Sequence, residues 1–202
     1  LGPERLGAVH FIDYSIGLIY SIASLGIPAY GMYRIAQLQA LGFNKRKAFI
    51  QMTALHVSLS AIGFAVFYWL LQGQTNLIFI QTLLPLAGIH LIANSAAAEW
   101  YLQGRERFDI PAYRNLVLRT IGLIAIFCLV LHPTDYAVYY SIIVVSIGLT
   151  MLINIGWILK DLKNDTVLQA QSGIQWREMF LFFVGTVFIS STDFLDVTLL
   201  GF

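Results

Sequence analysis

Few residues in this chain could do chemistry, and most of those stand in long apolar surroundings where charge is costly. At 100° per residue, His10, Asp13, Gly17, Tyr20, Ser24, Gly31 and Arg34 fall within one helical sector about 120° wide. Gln81, Gly88, Ser95 and Glu99 recur at seven, seven and four and mark a second face. The stretch "SSTDFLD" sets Asp193 and Asp196 at i and i+3, on one side of a helix. Such acids and guanidinium groups can neutralise a phosphate, hold a coupling cation (H+ or Na+), or pair with one another. His56 and His90 could relay protons, although a neutral, hydrogen-bonded structural histidine is the simpler reading. Catalysis is not indicated. There is no Ser, His and Asp set and no phosphate-cradling glycine loop. His10, His56, His90 and His132 lack metal-ligand spacing, and the single Cys128 cannot form an internal disulfide. The expectation is therefore a non-enzyme without cofactor or metal. The closely spaced Asp193 and Asp196 are the one loose candidate for an intramembrane transferase.

What must position these groups is set by composition. Hydrophobic residues make up 58% of the chain and charged residues only 11%, against about 25% charged in soluble domains. Mean hydropathy is +0.73. Apolar runs at 6–33, 48–71, 77–101, 115–131, 137–159 and 179–201 are each near the length a bilayer core requires. They are apolar on all sides, unlike the alternating strands of a membrane barrel. The fold class expected is all-α, a polytopic transmembrane bundle with six spans visible.

The connectors alternate between basic and nearly uncharged. Arg34, Lys45, Arg46 and Lys47 fall at the first, Arg105, Arg107, Arg114 and Arg119 at the third, and Lys160, Lys163 and Arg177 at the fifth. Arg5 alone lies on the other side, so the basic side is expected to be cytoplasmic. In "EWYLQGRERF" the sudden charge then marks the exit of the third helix, with Glu99 free to pair with Arg105 or Arg34. Trp100, Tyr101, Trp157 and Trp176 are expected at the inner headgroup level, and Tyr68, Trp69, Tyr136, Tyr139 and Tyr140 at the outer one. Gly26 with Pro28, and Pro85 with Gly88, are expected to loosen or bend their helices. The stripe on the first helix either lines a hydrophilic cavity or runs from boundary to boundary, with Arg34 snorkelling. The net charge of +1 gives no sign of nucleic acid.

Four segments carry a family resemblance: "LGPERLG", "LGIPAYGMYRIA", "EWYLQGRERF" and "HPTDYAVY". Together with "DVTLLG" near the end, they resemble Wzx-type O-antigen flippases, in the polysaccharide transporter branch of the MATE-like (MOP) superfamily. The most specific part is Glu99, Trp100, Gln103, Gly104, Glu106 and Phe108, followed by Asp135 and Tyr136. The resemblance implies a two-lobed transporter of which this chain holds helices two to seven. Residues 1–160 would form part of the N-terminal lobe with five spans, 161–177 a cytoplasmic inter-lobe linker, and 178–202 the first helix of the C-terminal lobe.

It also implies the activity: moving undecaprenyl-pyrophosphate-linked oligosaccharide repeat units across the bacterial inner membrane by alternating access, for O-antigen, capsule or exopolysaccharide synthesis. The partners implied are the lipid-linked oligosaccharide, membrane lipids and the polysaccharide polymerase machinery. Candidate cavity residues are Asp13, Tyr20, Ser24, Arg34, Glu99, Arg114, Arg119, Asp193 and Asp196. Arg34, helped by Arg114 and Arg119, is expected to neutralise the pyrophosphate, while Asp13 and Asp196 bind a coupling cation or hold an arginine. A lipid II flippase or a cation-coupled multidrug antiporter of the same superfamily is the nearest alternative.

Overall fold

A computed structural model describes residues 2–72, 78–165 and 174–186, and among them all regular structure is helical. α1 (Pro3–Ser24) opens on a proline, whose missing N–H would have had no helical partner there anyway. It stops at Leu25 and Gly26, both left-handed with φ of 44° and 73°. α2 (Ile27–Ala40) starts afresh with Pro28 in its first turn. The expected kink at Pro28 is therefore a complete break two residues earlier. Gly26 is required there twice over, because its φ is positive and any Cβ would lie 2.5 Å from the backbone nitrogen of Phe183.

α3 spans Arg46–Leu71, α4 Ile78–Ala96, α5 Glu99–Gly104, α6 Asp109–Leu129 and α7 Tyr136–Lys163. Residues 176–186 are again helical. Five stretches are long and apolar enough to cross a membrane: Pro3–Ser24, Arg46–Leu71, Phe79–Gly104, Asp109–Leu129 and Tyr136–Lys163. The sixth expected run, 179–201, lies mostly outside the described residues. One expected helix boundary is corrected. α6 begins at Asp109 rather than 115, which brings Arg114 inside the helix with Arg119. The expected linker at 161 is helical at its start, since α7 continues to Lys163.

α4 is the axial helix, packed against α1, α3 and α7, with Pro85 accommodated inside it and no break at Gly88. α6 by contrast leans chiefly on α7. Two cores result. One gathers Val9, Ile12 and Ile16 of α1 with Leu83, Leu84 and Leu91 of α4 and Tyr140 of α7. The other gathers Ile27, Tyr30 and Ile35 of α2 with Phe49, Met52, Trp100, Tyr101 and Ile158. Between lipid-soluble helices this packing is driven by van der Waals fit, and small residues permit it. A Cβ on Gly31 would meet the Trp100 ring at 2.5 Å, and one on Gly104 would meet the Met32 carbonyl at 2.6 Å. Trp100 and Tyr101 are thus core residues, 3% and 0% exposed, and not members of an interfacial belt; Tyr140 is likewise fully buried. Trp69, Trp157 and Trp176 are exposed, as belt residues should be.

The charged end of "EWYLQGRERF" is a helix cap. The Arg107 N–H donates to the Leu102 carbonyl at 2.9 Å and the Glu106 N–H to Gln103 at 2.9 Å, with Glu106 left-handed at φ 57°. That is a Schellman closure, with a glutamate where glycine is commoner. Asp161 then ties α5 to α7 by accepting from the Tyr101 hydroxyl at 2.7 Å and from Arg105 Nη2 at 2.8 Å. Lys45 is held by Asp165, which accepts from its backbone N–H at 2.6 Å and pairs with its ammonium in a buried contact.

Candidate functional site

The break between α4 and α5 falls at Ala97 and Ala98, the latter left-handed with φ 45°. Alanine favours helix, so something outside the segment must stop it. In a continuous helix the Ala97 carbonyl would accept from the Tyr101 N–H, but that N–H turns to Ala98 at 3.0 Å. Asn154 of α7 takes its place, donating Nδ2 to the Ala97 carbonyl at 2.8 Å. Asn154 Oδ1 in turn accepts from Arg114 Nη1. Arg114 Nη2 donates to Glu99 Oε2 at 2.7 Å, and Nη2 also reaches Asn115 Oδ1 at 2.8 Å. The network crosses α4, α5, α6 and α7 and is asymmetric in exposure: the Arg114 side chain is 3% exposed and that of Glu99 37%.

Glu99 is left open because cavities lie on both sides of it. A cleft of about 530 Å³ between α6 and α7 is walled by Glu99, Arg114, Asn115, Arg119 and Ser146 among apolar neighbours. An inner chamber of about 250 Å³ is lined by Tyr20, His56, Ser95, Trp100 and Gln103. Asn94, Glu99 and Thr150 line both. A third groove, about 640 Å³ and mostly apolar, runs beside Met32, Tyr33, Phe108 and Phe182.

The structure thus gathers Tyr20, Glu99, Arg114 and Arg119 from the expected set and leaves others apart. The stripe on the first helix is not one wet face. His10, Asp13 and Gly17 are exposed on α1, whereas Gly31 and Arg34 are buried on α2 beyond the break. Ser24 is buried and bonded to the Ser21 carbonyl at 2.8 Å. Arg34 does not snorkel. It is buried, donates to Gln37, and has no carboxylate within ion-pair distance among the described residues. Glu99 pairs with Arg114 and not with Arg105 or Arg34, because the Ala98 turn points α5 toward α6 and Arg105 is taken by Asp161. Arg114 is consequently already engaged and not a free phosphate ligand. Asp193 and Asp196 lie outside the described residues.

The two internal histidines differ. His90 Nδ1 meets the Tyr140 hydroxyl at 3.0 Å and lies 3.9 Å from Asp13, the structural role expected. His56 stacks near Tyr20 with ring centroids 5.0 Å apart, yet neither ring nitrogen has a partner. Asn154 was the residue missed. Its signal in the sequence is a lone amide deep in the apolar run of α7, where an unsatisfied polar group costs about 1–3 kcal/mol.

Comparison with known proteins yields no match to a family model, a curated protein or a solved structure.

Proposed function

We propose that this chain is part of a membrane transporter that passes lipid-linked oligosaccharide, an undecaprenyl-pyrophosphate repeat unit, from the cytoplasmic to the periplasmic leaflet. The observation that carries the transport reading is the Glu99–Arg114 pair, set among apolar helices at a helix break with cavities on either side. Discontinuous helices surrounding a polar midpoint are where transporters place substrate and coupling ions. The segments that resemble those of Wzx-type flippases support the substrate class. A pyrophosphate bearing sugars cannot enter hydrocarbon, so it needs a wet path while its prenyl tail stays in lipid.

Roles follow from the geometry. Arg119, exposed on α6 and lining the cleft between α6 and α7, has no ion pair among the described residues and is placed to meet phosphate first. Arg34, buried without an acid, becomes available only when α2 moves. Glu99 holds Arg114 in reserve. Alternating access would then rock this bundle against a second lobe, with the basic connectors facing the cytoplasm.

The test is complementation by the full-length protein in a flippase-deficient host. Arg119→Ala and Arg34→Ala should each reduce surface polysaccharide at least tenfold and let lipid-linked units accumulate on the inner leaflet. Normal surface polysaccharide in both variants would remove the neutralisation roles. Failure of the intact protein to complement any such host would remove the substrate class.

A further inference from the structure

Two side chains that line the inner chamber carry three buried polar atoms with no hydrogen-bond partner among the described residues: His56 Nδ1, His56 Nε2 and Trp100 Nε1. Both side chains are almost wholly buried, at 1% and 3% exposure, and both line the same space. Left dry, each would forfeit the hydrogen bonds it makes with water in the unfolded chain. A polar space of about 250 Å³ has room for about eight waters at liquid density. Water is therefore the cheapest partner.

We propose that this chamber is a hydrated proton-binding site in which His56 accepts the proton and Glu99 supplies the counter-charge. The step is a simple exchange. A hydronium in the chamber gives its proton to the unprotonated ring nitrogen of neutral His56, leaving water and an imidazolium. Burying a lone imidazolium would be prohibitive, so an anion within the same walls is needed. Among the described residues Glu99 is the only formally charged one lining the chamber, and its carboxylate is the partly exposed member of its pair.

Among the described residues the other elements lining the chamber offer no rival charge. α1 presents Tyr20, α2 Pro28, α4 Asn94 and Ser95, α5 Trp100 and Gln103 beside Glu99, and α7 Thr150. Arg114 of α6 stands behind Glu99 and competes for it. An imidazolium at position 56 therefore draws Glu99 toward α3 and weakens its hold on α6. Ser60 and Ser95, bonded to each other at 2.7 Å, close the adjoining α3–α4 contact without charge.

Two measurements on the purified full-length protein in nanodiscs test this, and neither depends on the cargo. With ¹⁵N-histidine labelling, His56→Gln identifies the His56 resonances among the four histidines. On acidification His56 should pass from neutral to imidazolium. Glu99→Gln, which removes the anion and leaves Arg114 nearby, should lower that midpoint by at least one pH unit, a tenfold loss of proton affinity. In deuterated buffer the indole N–H of unmodified Trp100 should exchange within minutes. A His56 ring that stays neutral until the protein unfolds, or one that titrates identically in Glu99→Gln, overturns the proposal. So does an indole N–H that remains protected for days, and that readout needs no variant to fold. Loss of the flippase assay with both readouts intact would leave this site standing.

Discussion

Neutralising Glu99 should damage the protein more than removing the arginine and glutamate together. Glu99→Gln leaves Arg114, only 3% exposed, without its counter-ion, and stranding a buried charge costs about 3–5 kcal/mol. Arg114→Met strands the glutamate instead, but that side chain is 37% exposed and partly hydrated, so most of the cost comes from the orphaned Asn154 Oδ1, about 1–3 kcal/mol. In the double variant no charge is buried, and the new glutamine amide can reach the same region as the lost guanidinium. Adding Arg114→Met to Glu99→Gln should therefore recover about 1–2 kcal/mol, a coupling far from additive. The assay is a double-mutant cycle by reversible unfolding in mixed micelles, scored on helix content. If the two single losses simply add, or if each stays under about 0.5 kcal/mol, the pair is not holding α5 to α6.

Other outcomes are open to measurement. Gly31→Val should cost about 1–3 kcal/mol in thermal unfolding, because the new side chain enters the Trp100 ring. At the left-handed Glu106, glycine should be neutral or stabilising by up to about 1 kcal/mol while valine destabilises, read as the midpoint shift of the same transition. Asp135 accepts the backbone N–H groups of His132 at 2.8 Å and Leu131 at 3.1 Å, and these donors hold its carboxyl below the usual carboxylate range. Its contribution to the turn before α7 should be complete above about pH 4, the ordinary aspartate value, and fade as pH falls through the depressed native one. Asp135→Asn should remove that pH dependence, visible in amide exchange at Leu131 and His132.

Hydropathy made the rods legible, since a run of apolar residues has one cheap state in lipid. Where a rod breaks was another matter. Gly26 and Pro28 hinted at a discontinuity because their backbone limits are intrinsic. The alanines at 96–98 hinted at none, because their stop is imposed by an amide 57 positions later in the chain. Rotational phase is lost at each break, which is why the stripe drawn from His10 to Arg34 did not survive as one face. Pairing was illegible for a similar reason. Glu99 had basic neighbours in sequence, but only the turn at Ala98 decides which of them it can reach. Aromatic placement failed where packing outbid the headgroup region, as the contact of Trp100 with Gly31 shows.

The sparse company of α6 has one further implication. Among the described residues only 6% of its most apolar stretch is fully buried, against 44% for the span containing α4. Inside a bilayer, sliding such a rod sideways trades side chains for acyl chains at almost no hydrophobic penalty. What keeps it in register is a guanidinium clasp near one end, so α6 is moored by charge, and whatever competes for that charge can cast it off.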